Sequence, residues 1–254
     1  MKHTWLTAPI LFFILLLSLL GVWAILEPAT LIRNFDHNGC SPFELATLPF
    51  YFALIPAIWW FCPFDGPLWR RRLLCLSVSI VAAMAIVKEL DLHAALLNML
   101  YPDYVDSFGR LVSGRLYKPN GMVLTGTPFK MRVLLNGETP LGMRTIIVAY
   151  FALFFGLFFA GFAYLFTTWL KGVFRLVPHC WSIGCFGLSG LMVQVADRLP
   201  SWSHHQYGFG KHSASNVTSL TSLMTVLEEG GEMLIPIFAL LAIYQAYKRK
   251  EQTK

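Results

Sequence analysis

From Ala8 to Leu26 the chain carries no charged side chain, and apolar runs of similar length recur to its end. A bilayer core about 30 Å thick is crossed by about 20 helical residues at 1.5 Å each, and only structures that satisfy their own backbone survive there. That recurrence restricts the fold more than any other feature. It predicts an all-α polytopic membrane bundle of about six spans, at roughly 8–26, 43–64, 73–97, 145–170, 176–196 and 220–246, within a single membrane domain 1–254. Composition agrees: 56% of the residues are hydrophobic and 13% charged, where soluble domains carry about 25% charged residues. The first run, behind Lys2, also has the look of a signal peptide. No A-x-A cleavage site follows it, so an uncleaved first span is expected.

The connections are read from turn chemistry and charge. Pro28, Asn34, Gly39 and Pro42 mark an external loop. Trp59, Trp60 and Phe61 suit a membrane interface. Asp65-Gly66-Pro67 is a tight turn, and residues 98–144 form one long external loop, with short strands expected at Met122 and Met131. Asp197-Arg198 is expected to close span five ahead of a loop holding His204, His205 and His212. The net charge of +6 does not point to nucleic acid. Much of it sits at Arg70-Arg71-Arg72 and Lys248-Arg249-Lys250, which with Lys171 and Arg175 fall on one side of a six-span chain. That side is cytoplasmic by the positive-inside rule, which puts both termini inside and suggests a bacterial-type inner membrane. The cysteines at 40, 62, 75, 180 and 185 have no C-x-x-C spacing, so neither a zinc nor a redox motif is legible.

Carboxylates inside these runs are the functional signal. Val226-Leu227-Glu228-Glu229-Gly230-Gly231-Glu232-Met233 places three acids where a span should have none. Each costs roughly 2.5–3.5 kcal/mol near the bilayer centre, so such groups face a protein interior. Glu228 and Glu232, four apart, share a helix face, and Gly230 and Gly231 let a helix or ligand approach the backbone. Pro236 is expected to kink the helix just beyond. In span three, Lys88-Glu89-Leu90-Asp91-Leu92-His93 repeats the pattern, with Glu89 and His93 at i, i+4. Glu89 lies 17 residues past Arg72, about 26 Å along a helix, near the outer boundary. A structural alternative is a helix-end acid cluster, or acids paired only to hold the bundle.

The candidate site is therefore Glu89, Asp91, His93, Glu228, Glu229 and Glu232, facing outward. Glu89, His93, Glu228 and Glu232 are the candidate ligands of a divalent metal, because carboxylate and imidazole on paired helices suit such ions. Membrane lipids and a divalent cation are the expected partners. Three classes of function fit: a metal-dependent membrane enzyme on a lipid-like or isoprenoid substrate, a proton- or cation-coupled transporter, and a non-catalytic assembly subunit. Nucleophile elbows, phosphate-binding loops and dinucleotide fingerprints are absent from the sequence.

The string Lys88-Glu89-x-Asp91-x-His93, followed by Glu228-Glu229-x-x-Glu232 within a span, resembles motifs in uncharacterised bacterial multi-pass membrane proteins. The resemblance covers two short stretches and implies a membrane location and no particular activity.

Overall fold

The computed structural model describes residues 4–35, 41–64, 67–90, 104–105, 111–112, 141–207 and 219–252. A short 3-10 turn, Thr4–Leu6, leads into α1 (Thr7–Ile25). Then come α2 (Pro28–Phe35), α3 (Pro42–Phe61), α4 (Leu68–Glu89), α5 (Leu141–Gly172), α6 (Pro178–Tyr207) and α7 (Ser219–Gln252). Among the described residues, three helical stretches are long and apolar enough to cross a membrane: Thr4–Ile25, Pro42–Phe61 and Pro178–Leu199. Their outward faces suit hydrocarbon, with Phe13, Leu17 and Trp60 exposed. In water, so much contiguous apolar surface would drive association.

By backbone contacts the chain forms two compact units, Met1–Glu89 with Ala163–Lys254, and Leu90–Phe162. In the second unit, β1 (Tyr104–Val105) pairs antiparallel with β2 (Leu111–Val112), Tyr104 opposite Val112. The strands expected at Met122 and Met131 lie outside the described residues.

Two elements differ from the sequence reading. After span one, Pro28–Phe35 form the helix α2, with Pro28 its first residue rather than a turn residue and Asn34 within it, while Gly39 lies outside the described residues. Proline at a first helical position loses nothing, since that amide has no intrahelical acceptor. Pro42 repeats the device, and there the cap is complete: Ser41 N donates to Glu44 Oε2 at 2.6 Å and Glu44 N donates to Ser41 Oγ at 3.1 Å. This reciprocal capping box fixes where α3 begins. The second difference is at Asp197-Arg198, which does not end the helix. α6 continues to Tyr207, so the backbone of His204 and His205 is helical, and Arg198 Nε lies 3.6 Å from Asp197 Oδ2 on its exposed side.

α7 belongs to both buried clusters. Val226, Leu234 and Phe238 pack with Ala8, Phe12 and Leu19 of α1, Leu31 and Phe35 of α2, and Cys185 of α6. One turn past Phe238, Ile243 joins Leu54 and Ile58 of α3, Phe64, and Cys75 and Ala82 of α4. The adjacent glycines set these approaches. A Cβ on Gly230 would lie 2.4 Å from Leu19 Cδ1, and one on Gly231 would lie 2.6 Å from Val193 Cγ2 of α6. The two glycines therefore serve close helix packing, as small residues do in membrane bundles.

Candidate carboxylate site

Helix geometry and those two contacts decide where the acids point. Successive residues turn by about 100°. With Gly230 against α1 and Gly231 against α6, residues 228, 229 and 232 occupy the remaining arc of α7. α3 flanks α7 and is also packed against α4. The last residue of α4 is Glu89, which is 6% exposed. One carboxylate oxygen from each of Glu89, Glu229 and Glu232 lies within 4.8 Å of the others, and the two α7 acids are half-buried.

Sequence spacing paired Glu228 with Glu232 at i, i+4, whereas the group that closes with Glu89 is Glu229 and Glu232 at i, i+3. Glu228 is also half-buried on α7 but stands outside that group, about 100° of turn from Glu229. The positions of Asp91 and His93, and of His212, lie outside the described residues, as do the side chains of His204 and His205.

The backbone beneath Glu232 holds a feature the sequence did not disclose. Pro236 has no N–H to give the carbonyl four residues earlier, and that carbonyl belongs to Glu232. The Tyr51 hydroxyl of α3 donates to it at 3.3 Å. α7 runs on through Pro236 to Gln252 as one helix. The proline signalled that the Glu232 carbonyl needed an outside donor, but nothing in the sequence named Tyr51 as that donor.

Depth is consistent from both directions. Glu89 is 17 residues beyond Arg72, and Glu232 is 16 residues before Lys248, about 26 and 24 Å of helix. The basic ends meet, since Lys250 Nζ donates to the Phe64 carbonyl in the α3–α4 connection at 3.3 Å. The acids thus gather at one level, well removed from the basic clusters.

Three carboxylates so placed form a hard-oxygen donor set. Oxygens on opposite sides of a calcium-sized ion are about 4.6–5.2 Å apart, twice a metal–oxygen distance of about 2.3–2.6 Å. A group contained within 4.8 Å fits around one such ion with small side-chain adjustments. Two ionised carboxylates at that separation repel by about 3 kcal/mol at an effective dielectric of about 20, and a cation between them converts this repulsion into attraction. Among the described residues the donors are carboxylate oxygens, which favour magnesium, calcium or manganese over softer metals.

No family model, curated protein or solved structure matches this chain.

Proposed function

We propose that the chain is a six-span inner-membrane protein, both termini cytoplasmic, whose Glu89, Glu229 and Glu232 bind a divalent cation toward the outer face. The observation that carries this reading is the meeting of three acids from two helices within 4.8 Å, one of them 6% exposed. The orientation rests on Arg70-Arg71-Arg72 and Lys248-Arg249-Lys250 lying at the other end of α4 and α7. Glu89, Glu229 and Glu232 would hold the ion. The chemistry it would supply is that of a Lewis acid able to fix and polarise an oxygen-rich headgroup. In this reading the protein is a metal-dependent enzyme acting on a lipid-like or isoprenoid substrate that enters from the bilayer.

The deciding experiment is elemental analysis of purified wild-type protein beside Glu89→Gln and Glu229→Gln. About one equivalent of magnesium, calcium or manganese in the wild type, lost in both variants, supports the reading. Metal-free wild type that binds none of these ions on titration overturns it.

A second reading, cation- or proton-coupled transport, draws on the same three acids gathered between apolar helices, because carboxylates inside membrane bundles commonly serve ion and proton pathways. Flux of protons or divalent cations through vesicles containing the wild type but not Glu232→Gln would favour it.

A further inference from the structure

At the other end of α4 two thiols meet that are 13 positions apart in sequence. Cys62 caps the C-terminus of α3, with its backbone in a left-handed conformation at φ 28°. Cys75, on α4, is 2% exposed. Their sulfurs are 3.8 Å apart. Arg71 Nη2 donates to Cys62 Sγ at 3.6 Å, and the Cys75 thiol is also within reach of the Ile58 carbonyl at 3.5 Å. Both sulfurs are free thiols, Cys62 half-exposed and Cys75 buried. Cys180 and Cys185 are also buried; the Cys180 thiol points to the Thr168 carbonyl at 3.5 Å.

We propose that Cys62 and Cys75 are a redox-active dithiol that exchanges electrons with a low-molecular-weight disulfide. The arrangement divides the labour. Cys62 is reachable, and the Arg71 cation beside it favours a thiolate, the nucleophilic form. Cys75 is shielded and can only act second. A guanidinium at this place also argues against a metal cation, which two sulfurs alone would not hold in the usual four-coordinate site.

The exchange is balanced by the disulfide itself. Cys62, its proton passed to water, attacks one sulfur of RSSR, forms a mixed disulfide and expels RS⁻. Cys75 gives up its proton and attacks the Cys62 sulfur, forming the Cys62–Cys75 bond and expelling the second RS⁻. The two protein thiols lose two electrons and two protons, and the small disulfide leaves as two RSH. The sulfurs must close from 3.8 Å to about 2.05 Å to bond. In the orientation proposed above, on which this point rests, the pair lies on the cytoplasmic side, where disulfides are transient and belong to catalysis or sensing.

The test uses the full chain in detergent, equilibrated with reduced and oxidised glutathione as the probe, then alkylated and mapped by peptide mass. The proposal expects a Cys62–Cys75 linkage that appears and disappears with the glutathione ratio, while Cys180 and Cys185 stay reduced. Cys75→Ser should instead accumulate a glutathione adduct on Cys62, and Cys62→Ser should leave Cys75 unmodified. Arg71→Gln should slow alkylation of Cys62 at neutral pH, because the cation that favours its thiolate is lost. Absence of the wild-type linkage at a ratio that fully oxidises a control dithiol overturns the proposal, as does oxidation of Cys180 and Cys185 at the same rate. The wild-type mapping decides the matter even where a variant fails to fold.

Discussion

Tyr51 and Glu232, on different helices, are joined through a backbone atom: the tyrosine hydroxyl supplies the Glu232 carbonyl, at 3.3 Å, with the donor that Pro236 cannot provide. In a membrane there is little water to take over, so a neighbouring helix must satisfy such a carbonyl. The contact ties α3 to α7 at the level of Glu232.

The first prediction follows from that bond. Tyr51→Phe should destabilise the protein by about 1–2 kcal/mol, the cost of an unsatisfied buried acceptor. In a Pro236→Ala background the alanine amide can bond to Glu232, and the same tyrosine substitution should then cost far less. Unfolding of all four proteins in one detergent gives the coupling. Equal cost in both backgrounds would show that the hydroxyl is not serving the freed carbonyl.

The carboxylates should behave as one unit. Glu89→Gln, Glu229→Gln and Glu232→Gln are each expected to weaken divalent-cation binding at least about 10-fold, and any double substitution should add little more, as for groups sharing one ligand. Glu228→Gln should change affinity less than about 3-fold, because Glu228 stands outside the three-acid group. Calorimetric titration with magnesium, calcium and manganese reads this directly. Additive losses, or a Glu228 effect as large as the others, would separate the acids into local roles.

The glycine pair should be unequal. At Gly230 an added methyl meets Leu19 Cδ1 and Cδ2 at 2.4 and 2.7 Å, the end of a side chain that can rotate aside, but at Gly231 it meets Cγ2 of the stiffer β-branched Val193 at 2.6 Å. Overpacking costs about 1–3 kcal/mol, partly offset by about 1 kcal/mol of gained helix propensity. Gly231→Ala should therefore lower thermal stability clearly more than Gly230→Ala. The reverse order in a detergent melt would contradict the packing described.

Orientation is open to reporter fusions. Fusions at His37 and Pro119 should report the outside, and those at Gly66 and Lys254 the inside. An inside signal at Pro119 would overturn both the six-span reading and the outward placement of Glu89.

Much of the helical framework was legible because length and hydropathy alone define it, as with α1, α3 and the body of α6. Boundaries were less so. Pro28 looks identical whether it turns a loop or opens a helix, and only the residues after it, packing Leu31 and Phe35 into the core, decide for α2. The acids were legible as a set, since charge in an apolar run is conspicuous. Which of them meet Glu89 was not legible. The rotation of α7 is fixed by Leu19 and Val193 against the glycines, and those contacts join residues far apart in sequence. Cys62 and Cys75 escaped for the same reason, their spacing being set by a turn between helices and not by a local motif.

Because α7 contributes to both hydrophobic clusters and comes after α1, α2, α3, α4 and α6 in the chain, assembly acquires an order. The ribosome delivers α1, α2, α3, α4 and α6 before the segment that joins them exists, so two half-built cores must wait in the membrane with their inner faces open. The acids of α7 enter the same way. They reach their partner Glu89 only when α7 packs, so the three-acid group forms in the same event that joins the two clusters.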